Sequence, residues 1–145
     1  MPDSAHTLVL ANDLLEITRL ADAIEAFCAP LAPGPKDLFA LQLALEEVVT
    51  NVINHGYTDG AVHTFTVELR TRGRCVTAVV SDDAPAYDPL ARPEVDTSLP
   101  LEARPVGGLG VHLVKKLVDT AHYERRDGRN VLALSRTFGP PAGPL

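Results

Sequence analysis

Apolar positions in this chain change their period several times, and each change marks an element. "HTLVLA" (6–11) is a short aliphatic run that predicts a strand. Leu14, Ile17, Leu20, Ile24 and Phe27 then recur at helical spacing, with Asp13 and Glu16 placed as a capping box and "PLAPGP" (30–35) as the stop. A second helix is predicted from 36 to 55, where Leu38, Leu41, Leu45, Val48 and Val52 form a stripe to bury and His55-Gly56 ends the pattern. "VHTFTVELR" (62–70) and "CVTAVVSD" (75–82) are β-rich and joined by "TRGR", which predicts a hairpin. Residues 83–106 are rich in proline and lack any period, as a functional lid or a disordered segment would be. "GGLG" (107–110) opens a third helix with Val111, Val114, Leu117 and Val118 on one side. "HYERRDGRNVLALSRTF" (122–138) predicts a second hairpin, turning at Asp127-Gly128, and "GPPAGPL" (139–145) a disordered tail.

The order is strand, two helices, two strands, lid, helix, two strands. Helices gathered on one face of a mostly antiparallel, mixed sheet give an α/β two-layer sandwich. It is read as a single domain over 1–138 followed by a flexible tail. At 145 residues, 46% hydrophobic and 22% charged, the chain has the composition of a soluble globular domain with a full core. Its net charge of −6 and pI near 5.2 argue against nonspecific binding to nucleic acid or an anionic membrane. An acidic ligand would need a local device to overcome that charge. The polar opening "MPDSAHTLVLAND" is unlike a signal peptide and no apolar run approaches a membrane span, so a cytoplasmic protein is expected. Cys28 and Cys75 have no metal-ligand spacing and read as reduced core thiols.

Three stretches carry candidate chemistry. In "ALEEVVTNVINHGY" (44–57), Glu47 and Asn51 lie four apart on a stripe continued by Asn54; Glu46 is rotated about 100° from Glu47 and stands five residues from Asn51. A carboxamide oxygen suits Mg²⁺, and a carboxylate one turn earlier is placed to orient or deprotonate a hydroxyl or water. The same stripe also fits a solvated helix side. Asp82, closing a strand in "VVSDDAPAYDP", delivers a carboxylate to the sheet rim, where it is either a turn residue or an acceptor for an amine such as that of adenine. The glycines of "GGLG" at a helix start admit phosphate to backbone N–H groups and the dipole, or serve as a lid hinge. The histidines are scattered without metal spacing, and His55 reads as a helix-end cap.

Taken in order, these motifs resemble the GHKL superfamily of ATP-binding domains, which share the Bergerat fold. "EVVTN" is similar to the N box, "DDAPAYD" (82–88) to the G1 box and "GGLG" (107–110) to the G2 box. With "HGY" (55–57) and the closing "YERRDGRNVLALSR", the chain looks most like the anti-sigma-factor serine kinases, over roughly residues 10 to 137. The resemblance implies Glu47 as general base, Asn51 as Mg²⁺ ligand, Asp82 as the adenine-binding carboxylate, and the backbone of Gly107, Gly108 and Gly110 as the phosphate cradle. Asn54, Ala84, Tyr87 and Leu109 fall within or beside the same boxes and complete the expected nucleotide contacts. Arg104 is added from its position alone, whereas Lys115 and Lys116 read as helix surface.

The G1 pattern usually has glycine where Ala84 stands. If that position requires a positive φ or very close backbone approach, alanine costs about 1 kcal/mol or more. The chain lacks a helical hairpin with a phospho-accepting histidine and is too short for a gyrase-type transducer domain. The resemblance therefore implies a serine/threonine kinase using ATP and Mg²⁺. It would phosphorylate an anti-sigma antagonist of the STAS type and hold a sigma factor or other effector. Members commonly dimerise, which makes a homodimer one expectation. The rival reading is a partner-sequestering module without catalysis, with or without nucleotide.

Overall fold

The computed structural model describes residues 3–91 and 108–141, and over 108–112 the backbone alone. Strand β1 (Ser4–Ala11) leads to helix α1 (Glu16–Cys28), a 3₁₀ turn (Ala29–Leu31) and helix α2 (Pro35–Asn51). A π-helical turn (Val52–Gly56) follows, then β2 (Thr64–Arg72), β3 (Cys75–Asp82), a 3₁₀ turn (Pro89–Ala91), α3 (Gly108–Leu117), β4 (Thr120–Arg126) and β5 (Arg129–Thr137).

The strands form one sheet in the order β1-β2-β3-β5-β4, and every pairing is antiparallel. The expected mixed sheet is corrected here. The α3 crossover brings the chain back so that β4 runs parallel to β3, but β5 is inserted between the two and meets each antiparallel. Alternation then sorts the side chains. Leu8, Leu10, Phe65, Val67, Leu69, Val76, Ala78, Val80, Leu132 and Leu134 are buried, and α2 adds Leu41, Ala44, Leu45, Val48 and Val49 to the same core. Each fully buried Leu or Val of this set contributes about 1.5–3 kcal/mol. The opposite sheet face carries half-exposed Thr66, Thr77, Ser81 and Ser135.

Both hairpins turn where the sequence placed them. Arg72 pairs with Cys75 across Gly73 (φ 59°), and Arg126 pairs with Arg129 across Asp127 (φ 52°) and Gly128 (φ 74°). Two left-handed residues in a two-residue loop match the right-handed strand twist. The first helix opens differently from the expected capping box. Asp13 accepts the Leu15 amide at 2.9 Å, while Glu16 reaches past it to the Ala11 amide at 2.9 Å. Glu16 thereby ties the helix start to the end of β1.

The expected tail is held at its first residue. Gly139 donates its N–H to Asp37 (2.9 Å) and accepts from the Arg74 Nε (2.7 Å), and Arg136 donates to both Asp37 (2.8 Å) and the Leu117 carbonyl at the end of α3 (2.6 Å). The Gly139 amide, together with the Arg136 guanidinium, holds the Asp37 carboxyl below the usual carboxylate range. Cys28 and Cys75 are both free thiols, and burial pushes the Cys28 thiol up to about 11. No helix among the described residues is long and apolar enough to cross a membrane.

Candidate functional site

A cavity of about 440 Å³ opens between α2, its π-helical continuation and one end of β3, β4 and β5. Val48, Val52, Val80 and Leu132 make its apolar walls, and Asn51, Asp82, Tyr123 and Asn130 bring polar groups into it. Largely apolar walls with a few convergent polar groups are the usual make-up of a small-molecule site.

Asp82 is the last residue of β3, and alternation with Val80 turns it inward. Its side chain is buried, at 6% exposure. One carboxylate oxygen, Oδ1, accepts from the Ala84 amide at 3.0 Å and from Asn130 Nδ2 at 2.9 Å. Asn130 stands directly opposite on β5. The same Nδ2 also donates to the Pro85 carbonyl at 3.0 Å, while Asn130 Oδ1 accepts from the Tyr123 hydroxyl at 2.6 Å and the Tyr87 amide at 3.1 Å. A single buried carboxamide thus joins the end of β3, the following loop and β4. Arg125 closes the loop from outside by donating to the Ala84 carbonyl at 2.8 Å.

Ala84 is buried, and the only non-glycine residues with positive φ among those described are Ala32 and Asp127. The strain expected of alanine in a glycine position therefore does not arise. Room for its methyl comes from across the gap, since a Cβ built on Gly56 would lie 3.4 Å from that of Ala84. Glycine at 56 and alanine at 84 form a fitted pair.

Glu47 and Asn51 follow one another along α2, but only Asn51 lines the cavity. Neither side chain has a hydrogen-bond or ion-pair partner among the described residues. Asn54 is exposed and lies off the cavity wall, whereas Val52, His55 and Gly56 line it. Val48, Asn51, Val52 and His55 keep the i, i+3, i+4, i+7 spacing of one helical face toward the cavity, whereas Asn54, seven residues after Glu47, falls with Glu47 outside the lining. The last turn, Val52–Gly56, is π-helical, and such turns are frequent at functional sites. Tyr87 lines the cavity at the start of the loop. Gly108, Leu109 and Gly110 form the first turn of α3. Arg104 and Gly107 lie outside the described residues, as do 92–106 of the expected lid. Lys115 donates to the Leu90 carbonyl at 2.9 Å and pins α3 to the Pro89–Ala91 turn.

Beyond the cavity rim, Tyr57 and His63 stack with ring centroids 4.2 Å apart. The Tyr57 hydroxyl donates to Asp83 at 2.7 Å, and His63 Nε2 meets Asp59 at 2.8 Å. Burial, together with the Asp83 hydrogen bond, pushes the Tyr57 phenol above its ordinary range, and that hydroxyl holds the Asp83 carboxyl below its own. This clasp fixes the chain leaving the π-helical turn. Among the described residues no cluster of three or more His, Cys, Asp or Glu side chains gathers as a metal site.

Comparison with known proteins gives the family. Residues 10–136 match the histidine kinase-like ATPase domain family. The chain belongs to this family. It is 30% identical over 102 residues to the serine/threonine-protein kinase BtrW of Bordetella bronchiseptica, covering 70% of this chain and 72% of that protein. It is 28% identical over 104 residues to the serine-protein kinase RsbW of Halalkalibacterium halodurans, covering 69% of this chain and 62% of that one. In fold it is similar to the crystal structure of the RsbU and RsbW domains of Rv1364c from Mycobacterium tuberculosis, with a TM-score of 0.69 and 17% identity. That likeness covers 96% of this chain but 34% of the other, so the present chain spans about a third of that protein. The antiparallel α/β architecture is thus that of the family.

Sequence reasoning missed Asn130, Tyr123 and His55 as members of the cavity. A signal for Asn130 was present. In "NVLALSR" it shares the inward parity of Leu132 and Leu134, and a carboxamide in a row of core positions calls for a polar partner. For His55 the signal was its place four residues after Asn51 and seven after Val48, on the same helical face.

Proposed function

We propose that this protein is an ATP-dependent serine/threonine kinase acting on a partner protein. The observation that carries the reading is the cavity itself. A buried carboxylate lies at its base, between apolar walls, with one oxygen committed and the other without a partner among the described residues, and the Asn51 carboxamide on its helical wall likewise has none among them. The open Asp82 oxygen suits an exocyclic amine, and the flat apolar walls suit a purine. Asn51 would supply one oxygen to a magnesium ion whose other ligands are phosphate oxygens and water. That ion, when bound, would neutralise charge on the phosphates. The names of BtrW and RsbW, both serine kinases, support the direction of transfer.

In this reading a serine hydroxyl of the partner attacks the γ-phosphorus and the bond to the β,γ-bridging oxygen breaks. ADP departs and the hydroxyl proton passes to Glu47. Positioning does most of the work, since phosphoryl transfer asks little covalent chemistry of the protein. The backbone of Gly107, Gly108 and Gly110, with Arg104 nearby, is proposed to hold the phosphates at the start of α3. Ala84, from behind the wall, Tyr87, at its mouth, and Leu109 keep their proposed places around the nucleotide, whereas Asn54 lies off that wall. The proposed substrate is a STAS-type antagonist, and the proposed effector a sigma factor or another regulator held by the unmodified kinase, in the cytoplasm and as a homodimer. The rival, a module without catalysis, rested on Ala84, where the backbone has no positive φ.

Incubation with γ-labelled ATP, Mg²⁺ and a candidate antagonist tests this. Label should enter the antagonist with serine at its acceptor site and not the serine-to-alanine form. No label in any antagonist, combined with unaltered partner binding, would leave only the sequestering module.

A further inference from the structure

We infer that Asn130 is the positioning residue that makes Asp82 selective for a purine carrying a 6-amino group. The inference rests on the nucleotide reading above and goes beyond it by assigning selectivity to a residue outside the G1 box. A carboxylate has two oxygens and can rotate between them. Here Asn130 Nδ2 at 2.9 Å and the Ala84 amide at 3.0 Å both hold Oδ1, so Oδ2 is left as the acceptor without a partner among the described residues. Asn130 itself cannot turn over. Its Oδ1 is engaged by two donors, the Tyr123 hydroxyl at 2.6 Å and the Tyr87 amide at 3.1 Å, while Nδ2 faces Asp82 and the Pro85 carbonyl at 3.0 Å. Flipping the amide would set oxygen against carboxylate and carbonyl, and nitrogen against two donors.

A fixed, acceptor-only oxygen among apolar walls favours an N–H donor and rejects a carbonyl. Adenine presents an amine at position 6; guanine and hypoxanthine present an oxygen there. With the clamp removed, the carboxylate can swing to water or to the loop amides, and the penalty for a wrong base falls. Asn130 touches no reacting atom in this scheme and acts through Asp82 alone.

The test measures equilibrium binding of ATP and of purine riboside 5′-triphosphate, which lacks the amine, to the full chain with Mg²⁺ at pH 8. The wild type should prefer ATP by about tenfold or more, the equivalent of one hydrogen bond to a charged group. Asn130→Ala should bring the ratio near one. Asn130→Leu keeps most of the side-chain volume but removes the donor to Asp82, and should do the same should the alanine variant fold poorly. In an Asp82→Ala background, Asn130→Ala should change the ratio no further. A wild-type ratio retained in either Asn130 variant would overturn the inference while leaving the kinase reading intact, as would a further loss in the Asp82→Ala background. A wild type that binds neither nucleotide would overturn both.

Discussion

The two ends of the cavity are built on different principles. At the sheet end, Asp82 Oδ1, Asn130, the Tyr123 hydroxyl and the 84–87 backbone are joined in one hydrogen-bond network, and Asp82 Oδ2 alone has no partner among the described residues. At the helix end, Glu47 and Asn51 have no partner among the described residues. Buried polar groups must be paired to be tolerated, whereas half-exposed ones can wait in water. The sheet end is therefore held by its own network, whereas the helix end, as proposed, keeps its groups for ligand oxygens and protons.

This contrast can be broken most sharply at Glu47. Glu47→Ala should lower phosphoryl transfer about 10²–10⁴-fold, the usual contribution of a positioned general base, while nucleotide affinity holds. Transfer assays beside binding isotherms check it, and full transfer would free Glu47 from the role. Next in size, Asn130→Ala should destabilise the ligand-free protein by about 2–3 kcal/mol, because it strands buried partners at several points. Asn51→Ala should change ligand-free stability by only about 0.5 kcal/mol, yet abolish the rise in Tm on adding Mg²⁺ and ATP. Denaturant melts of the two variants side by side decide whether the ends differ as described.

A smaller effect comes from the Asp37 clasp, which belongs to neither end. Its carboxyl is held below the ordinary value by the Gly139 amide and Arg136. A lowered folded-state value means stability that is present above the unfolded value near 4 and lost as pH falls through the folded one. Asp37→Asn should therefore flatten the fall of Tm below about pH 4 without touching nucleotide selectivity.

Much of the fold was legible because local chemistry and global packing agreed. β3 was bounded correctly at 75–82 by its alternation and by the turn residues on either side. Asp127-Gly128 could only be a tight hairpin. The mixed sheet was misjudged because strand order depends on where the α3 crossover inserts β5, which no local pattern records. Asn51 and Asp82, singled out by spacing and strand position, both line the cavity. Val52 and His55 continue the face of Val48 and Asn51 at helical spacing, but they read as part of the buried stripe and as a helix-end cap. Asn130 was missed because its partner lies 48 residues earlier in the chain.

The wider turn at Val52–Gly56 also makes length a determinant of what the ligand meets. The turn takes up one residue more than a regular turn over the same stretch, so a one-residue deletion there would let the helix close regularly and change which side chains of 52–56 face the ligand. The Gly56 contact with Ala84 and the Tyr57 hydrogen bond to Asp83 would hold the chain beyond it in place.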